Sequence, residues 1–181
     1  MSNSVWVWLD LEMTGLDVKQ DKILEVSCIL TTPELHEYTS ESFSMVVQQP
    51  QEVLDTMSDW CIKQHGESGL TQACLESELS LEMIEKRLIT FVQAYTLPTD
   101  TLFLAGNSIH TDRGFIKEYL TGFESMLHYR MVDVTSVAMV CESMGITQYV
   151  KESSHRALDD IRMSIEELRY YVKKLNGNNV E

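Results

Sequence analysis

Residues 5–16 read VWVWLDLEMTGL, and this stretch decides the fold. Its first part, Val5–Asp10, is apolar at nearly every position, as expected of a central strand covered on both faces. Residues two apart in a strand share a face, so Asp10 and Glu12 lie together at its carboxyl end, where α/β sheets place ligands. Buried carboxylates are costly without a positive charge, and this stretch contains no Lys or Arg. A divalent cation is the natural partner, although on these residues alone the acids could also leave the sheet for solvent.

Length and composition are those of one globular domain. The chain has 181 residues, 44% of them hydrophobic and 23% charged, enough for one substantial core but not comfortably for two. We therefore expect a single domain over residues 1–181, with its core at about residues 5–175. No apolar run reaches the roughly 18 residues of a membrane span, and the first strand begins too early for a signal or transit peptide. The expected location is the cytoplasm, or the mitochondrion where a presequence precedes Met1.

Net charge and cysteine spacing argue against two other classes of protein. The formal net charge is −14, whereas a protein that grips long nucleic acid through many phosphates is usually basic. A nucleic-acid substrate would therefore be short, or held by metals and a few local contacts. Widely separated cysteines without a CxxC pair favour buried free thiols over a zinc site. These cysteines are Cys28, Cys61, Cys74 and Cys141.

The order of predicted elements indicates an α/β fold. Three strands come first, then helices, and then strands alternating with helices, which predicts a mixed five-stranded sheet flanked by helices in three layers. Parallel pairs in such a sheet need the intervening helices as crossovers. After the first strand we predict strands at Lys22–Thr32, Glu41–Gln48, Thr101–Ala105 and Tyr129–Val134, and helices at Asp59–Gln64, Leu70–Glu76, Leu81–Tyr95, about Thr111–Leu120, Thr135–Met144 and about Arg156–Leu175.

Two further clusters of acids lie far along the chain. Asp112 is predicted at the start of a helix, where an acid also complements the helix dipole, so on its own it need not be a ligand. In the last helix, at about 100° per residue, Asp160 lies on the flank of the core stripe and Asp159 points nearly opposite, into water. His155 precedes that helix and, taken alone, is typical of a surface residue. The core stripe is predicted to be Leu158, Ile161, Ile165, Leu168 and Val172.

Taken together, these clusters resemble the motifs of the DEDDh group of 3′→5′ exonucleases, which share a ribonuclease H-like fold. Within that group the chain is similar to the oligoribonuclease family, over about Val5 to Tyr171. The three motifs are Asp10-Leu11-Glu12-Met13-Thr14-Gly15-Leu16, Gly106-Asn107-Ser108 followed by Asp112, and His155-Arg156-Ala157-Leu158-Asp159-Asp160, whose spacing selects the histidine branch. Further segments that agree are Met57-Ser58-Asp59-Trp60, His65 with Ser68-Gly69-Leu70, His128-Tyr129-Arg130 and Asp133-Val134.

The resemblance implies a role for each matching position. Two Mg²⁺ or Mn²⁺ ions would be bound by Asp10, Glu12, Asp112 and Asp160, and the general base would be His155. The bound oligonucleotide would be contacted by Leu16 and Trp60 at its bases, by Ser108, Arg130 and Thr135 as a cap around its 5′ phosphate with His65 nearby, and by Tyr129 from the partner subunit of a homodimer. The chain departs from the family pattern in three ways. Thr135 stands where serine is common, Ala138 occupies a position where a further polar cap residue can occur, and the loop before His155 is a few residues shorter than usual.

The leading hypothesis is an exoribonuclease that degrades short single-stranded RNA, especially dinucleotides, from the 3′ end to 5′-mononucleotides, with no membrane and no long duplex as partner. Hard divalent cations prefer oxygen ligands, and two of them can serve both the entering and the leaving oxygens of a phosphodiester. Trp60 would stack on a base, although without the resemblance a core position is the better interpretation. Two alternatives stay open: an exonuclease of the same group that acts on DNA or on longer RNA, and a non-catalytic binding module with this fold.

Overall fold

The strand β1 is the centre of a five-stranded mixed sheet in this computed structural model, which describes residues 3–151 and 156–177. The strands are β1 (Ser4–Met13), β2 (Ile23–Thr31), β3 (Phe43–Val46), β4 (Thr101–Gly106) and β5 (Leu127–Asp133). The helices are α1 (Gln51–Leu54), α2 (Asp59–Glu67), α3 (Leu70–Glu76), α4 (Leu81–Tyr95), α5 (His110–Tyr119), α6 (Thr121–Glu124), α7 (Val134–Ser143) and α8 (Ala157–Leu175). None of the helices in these ranges combines the length and the apolar character that crossing a membrane requires.

The strand order β3-β2-β1-β4-β5 confirms the predicted mixed sheet. β1 pairs with β2 in antiparallel and with β4 in parallel, and β5 is parallel to β4. β1 runs past Asp10 to Met13, so that Asp10 lies opposite Ser27 and Glu12 opposite Glu25. Both acids therefore belong to the sheet, and the alternative in which they leave it for solvent does not hold.

Alternation along β1 assigns its side chains to two cores. Val7 and Leu9 pack on the face covered by α4 and α5, whereas Trp8 packs on the other face against Ile161 and Ile165 of α8. Trp8 is fully buried and its indole N–H donates to the Thr31 hydroxyl at 2.9 Å. Because successive side chains of a strand point to opposite faces, Asp10 and Glu12 continue the Trp8 face, toward α8.

One position of the predicted α8 stripe is wrong. Val172 is 43% exposed, and Tyr171 is the fully buried residue at this level of the helix. Tyr171 packs with Ala138 and Cys141 of α7, and its hydroxyl accepts from the backbone N–H of Tyr149 at 3.1 Å. The neighbouring helix covers the flank that carries Tyr171, so the stripe turns toward α7 at its end.

The short helices α1 and α6, four residues each, were not predicted, because so few residues show no helical periodicity. The cysteines are free and buried, as predicted. Burial raises the pKa of the Cys74 thiol to about 12, so this thiol stays protonated at neutral pH.

Candidate active site

Three carboxylates meet on the α8 side of the sheet. Oxygens of Asp10 and Glu12 on β1 and of Asp160 in the first turn of α8 lie within 4.8 Å of one another. Asp159, the neighbouring acid in the same turn, is exposed. The structure thus brings together the two acids of the first motif and the acid that helical spacing placed beside the core stripe.

Asp112 joins this group from a different direction. It lies in the first turn of α5 and is buried, and its Oδ1 accepts a hydrogen bond from the Leu11 backbone N–H at 3.0 Å. This bond ties the start of α5 to β1, between the two acids of the strand. Burial raises the pKa of Asp112 to about 7, and its own hydrogen bonds oppose that rise. Asp112 is not one of the three clustered acids, yet its charge acts on both Asp10 and Glu12.

Crowding of negative charge perturbs the strand acids. Burial first, and then the charge of Asp112 and of the other acids, raise the pKa of Asp10 well above its ordinary value. Burial and the charges of Asp160, Glu25 and Asp112 raise the pKa of Glu12 to about 8. Since each carboxylate disfavours ionisation of the next, a bound cation would lower the cost of the whole group. The donors are all carboxylate oxygens, which is the ligand set of hard cations such as Mg²⁺ and Mn²⁺. The residues therefore fit a divalent metal centre.

Glu25 is a part of this region that the sequence reasoning missed. It is 1% exposed in β2, and Arg156 pairs with it through Nη2 at 2.8 Å. The negative charge of Glu25 raises the pKa of Glu12, and the positive charge of Arg156 lowers it. The available signal was a single charged residue within the apolar strand ILEVSCILT, because such a residue needs a partner.

A cavity of about 600 Å³ opens beside the acids. Leu16, Trp60 and His65 line it together with Asp10, Glu12 and Asp160. Trp60 is 60% exposed, so the interpretation of Trp60 as a core aromatic does not hold. His65 is buried, with Nε2 3.0 Å from the Met13 carbonyl oxygen and Nδ1 4.0 Å from the Glu12 carboxylate. The cavity is thus lined by apolar side chains as well as by carboxylates.

The three residues of the predicted phosphate cap are only partly assembled. The Ser108 backbone N–H donates to the Thr135 hydroxyl at 2.9 Å, and the two hydroxyl oxygens lie 3.2 Å apart. Ser108 has a positive φ of 46°, which a non-glycine residue rarely adopts. Within the described ranges, Arg130 contacts Tyr129 rather than this hydroxyl pair: its Nε donates to the Tyr129 hydroxyl at 3.0 Å, and the guanidinium lies 5.4 Å from the ring centre.

The predicted base, His155, lies outside the described residues. The residues on either side of that gap are both fixed by ion pairs. Lys151 pairs with Glu167 of α8, and Arg156 pairs with Glu25 of β2.

Comparison with known proteins places the chain in a family. A family model described as Exonuclease matches residues 7–168. The mitochondrial oligoribonuclease of Bos taurus is 44% identical over 169 residues, which is 91% of this chain and 70% of that protein. The oligoribonuclease of Francisella tularensis subsp. tularensis (strain WY96-3418) is 42% identical over 170 residues, which is 93% of this chain and 94% of that protein.

Solved structures give the same fold at lower identity. An exonuclease I of Escherichia coli with zinc and single-stranded DNA has a TM-score of 0.71 at 15% identity, covering 97% of this chain and 42% of that one. Exonuclease I of Methylocaldum szegediense has a TM-score of 0.69 at 16% identity, covering 94% of this chain and 40% of that one. This chain thus spans only about two fifths of these longer proteins, whose likeness confirms the predicted ribonuclease H-like fold. The match over residues 7–168, with relatives at 42–44% identity over most of the chain, shows that this protein belongs to the exonuclease family.

Proposed function

We propose that this chain is a 3′→5′ exoribonuclease that degrades short RNA, above all dinucleotides, to 5′-mononucleotides. The observation that carries the proposal is the convergence of Asp10, Glu12 and Asp160, with Asp112 alongside, on a cavity with apolar walls. The oligoribonuclease names of the relatives support an RNA substrate of short length. We further propose that the whole chain is one exonuclease domain, acting in the cytoplasm or, like the relatives named mitochondrial, in mitochondria.

The four carboxylates would hold two Mg²⁺ or Mn²⁺ ions. When bound, such ions stabilise negative charge on phosphate oxygens and promote ionisation of water at neutral pH. The protein contributes the ligand oxygens and fixes them. Asp112 is oriented by the Leu11 N–H, and Asp10 and Glu12 are fixed by the pairing of β1 with β2. The charges of four carboxylates and two divalent cations balance, so the site would be neutral before a phosphate enters.

His155 would take the proton from the attacking water. Imidazole titrates near neutral pH and can accept this proton at the working pH. The proposal is supported by the neighbouring Arg156, which is anchored to Glu25 and directly precedes the helix that carries Asp160.

The cavity walls and the hydroxyl pair would bind the oligonucleotide. Trp60 and Leu16 are exposed and line the cavity, and they would flank the bases, with stacking on Trp60 worth about 1–3 kcal/mol. The hydroxyls of Ser108 and Thr135 would donate hydrogen bonds to the 5′ phosphate together with Arg130, after the Arg130 guanidinium leaves Tyr129. A cap that binds the 5′ phosphate would select short chains, and the net charge of −14 acts in the same direction.

We also propose a homodimer in which Tyr129 enters the partner's site. Tyr129 is 71% exposed on the edge strand β5. Further large apolar side chains are exposed on β5 and on α7 and its end, and exposed apolar side chains are a feature of interaction sites. These side chains are Met131, Met139, Val140 and Met144.

Complementation tests the dimer. Tyr129→Ala and Asp10→Asn should each be inactive, because one lacks the shared tyrosine and the other a metal ligand. An equal mixture, unfolded and refolded together, should regain about a quarter of wild-type activity, because half the dimers are mixed and each holds one complete site. A mixture as inactive as its components would contradict the shared site.

The activity is tested with 5′-labelled oligonucleotides of increasing length. A 5′-phosphorylated RNA dinucleotide should be hydrolysed much faster than a 20-mer in Mn²⁺, and EDTA should stop the reaction. Matched DNA oligomers separate this proposal from a DNA-directed exonuclease. Equal rates per 3′ end for both RNA lengths would contradict the phosphate cap. Absence of metal-dependent hydrolysis would favour the non-catalytic module.

A further inference from the structure

Glu25 is a buried acid that the proposed chemistry does not use. It lies in β2 directly across from Glu12, and it is among the most deeply buried charged residues of the described chain. A carboxylate in such a position is destabilising unless its charge and both oxygens are satisfied. The groups that contact Glu25 therefore indicate its role.

Both oxygens of Glu25 are engaged by donors from two other elements. Oε1 accepts from Arg156 Nη2 at 2.8 Å and from the Ser44 hydroxyl of β3 at 3.3 Å. Oε2 accepts from Arg156 Nε at 3.2 Å and from the Ala157 backbone N–H at 3.3 Å. The two guanidinium contacts form a bidentate pair, whose geometry is more restrictive than that of a single contact.

These contacts fix the first turn of α8 to the sheet. Ala157 is the first residue of α8, and its N–H is one of the amides that a helix leaves without an internal acceptor. The Arg156 side chain, at the N-cap position, makes no capping hydrogen bond, so Glu25 of β2 supplies the acceptor for the Ala157 N–H. Asp160 follows Ala157 by three residues, which is slightly less than one helical turn. The position of Asp160 over β1 thus depends on where the Glu25 contacts place that turn.

We propose that Glu25 is a positioning residue for the metal centre, which holds Asp160 opposite Asp10 and Glu12 through Arg156 and Ala157. The inference rests on the proposed metal-dependent function of these acids. Glu25 is not one of the three clustered acids among the described residues, and its oxygens are taken up by other donors. Because Arg156 compensates its charge, the pair leaves the charge of the ligand group nearly unchanged.

The test measures Mn²⁺ binding to the metal-stripped, full-length chain by titration calorimetry. Glu25→Gln should bind Mn²⁺ about 10- to 100-fold more weakly than the wild type, as for other residues that orient metal ligands. The matched control is Glu167→Gln, which also removes a buried glutamate of an ion pair, with Lys151, two turns along α8 from Asp160. Glu167→Gln should lower the melting temperature without weakening Mn²⁺ binding. Equal affinity in Glu25→Gln and wild type overturns the inference.

A double variant separates position from charge. Glu25→Gln alone leaves Arg156 uncompensated near the site, whereas Glu25→Gln with Arg156→Gln restores the balance of charge without restoring the contacts. Mn²⁺ affinity should stay low in the double variant, and recovery to the wild-type value would overturn the inference. Arg156→Lys keeps the charge and loses the bidentate geometry. It takes the place of Glu25→Gln should that variant not fold, and undiminished affinity in it would likewise overturn the inference.

The same titration separates failure of the proposed function from failure of this inference. A wild-type chain that binds no Mn²⁺ overturns the proposed function and this inference together. Binding in the wild type that is lost in Asp10→Asn but intact in Glu25→Gln overturns the inference alone.

Discussion

Replacing Glu12 by glutamine should stabilise the metal-free chain at pH 8 and change its stability little near pH 4.5. In the folded chain, burial and the charges of Asp160, Glu25 and Asp112 raise the pKa of Glu12 from 4.5 to about 8. Between these two pH values the folded state keeps a proton that the unfolded state has released, so the stability of the wild type falls as pH rises. One pKa unit corresponds to about 1.4 kcal/mol, so this loss is on the order of a few kcal/mol once the pH exceeds the folded pKa. Glutamine cannot ionise and escapes it.

The assay is urea unfolding followed by circular dichroism in EDTA, at several pH values between the ordinary pKa of 4.5 and the folded pKa of about 8. The difference in unfolding free energy between Glu12→Gln and wild type should grow with pH. Glu78→Gln, which removes an exposed carboxylate, is the control and should show no such growth. Mn²⁺ should stabilise the wild type at high pH and act much less on Glu12→Gln, because metal binding needs the ionised ligand. A variant that is less stable than wild type at pH 8 in EDTA, or a difference independent of pH, would refute the reasoning.

Three further outcomes follow from the geometry. Asp160→Ala should lose Mn²⁺ binding and activity, whereas Asp159→Ala, which changes the exposed acid of the same turn, should retain both; the reverse pattern would show that the helix is oriented differently. Trp60→Ala should raise KM for a dinucleotide roughly 5- to 150-fold, the equivalent of about 1–3 kcal/mol of stacking, with an unchanged melting temperature because the side chain is exposed. Gly15→Ala should destabilise the chain by about 1–3 kcal/mol in urea unfolding, since a Cβ at this position would lie 2.5 Å from the Asp21 carboxylate; an unchanged midpoint would show that Asp21 moves aside.

The sheet could be predicted because its central strand shows a continuous apolar run and because element order limits topology. The ends of the strands were harder to predict. Residues Leu11–Met13 continue β1, although the sequence there alternates in polarity and then turns. What extends the strand is pairing with β2, including the Glu12–Glu25 pair. Pairing partners are set by the tertiary fold, and local patterns carry little information about them.

The last helix shows the same limit in a different form. Helical spacing predicts the angle of each side chain, and Asp160 and Asp159 lie on the predicted sides. Spacing cannot say which neighbour covers a given angle. Near the end of α8, the helix α7 covers the side that carries Tyr171. Tyr171 is therefore buried in the core, and Val172 is exposed.

The acids of this region differ in the side chains that surround them. Glu25 faces the guanidinium of Arg156, 131 residues away in sequence, and that pairing makes it part of the scaffold. Glu12, its direct neighbour across the sheet, faces Asp10 and Asp160, and a bound cation would relieve the repulsion within this group of acids. The first motif identifies Glu12 from sequence, whereas Glu25 stands out in the sequence only as a lone charge in an apolar strand. The role of Glu25 becomes recognisable when its distant partner is seen. Glu25, whose partner is a guanidinium, orients the site, and Glu12, which faces other acids, is the candidate ligand. We therefore expect that Glu25 cannot replace Glu12 as a ligand, and that Glu12 cannot replace Glu25 as the partner of Arg156.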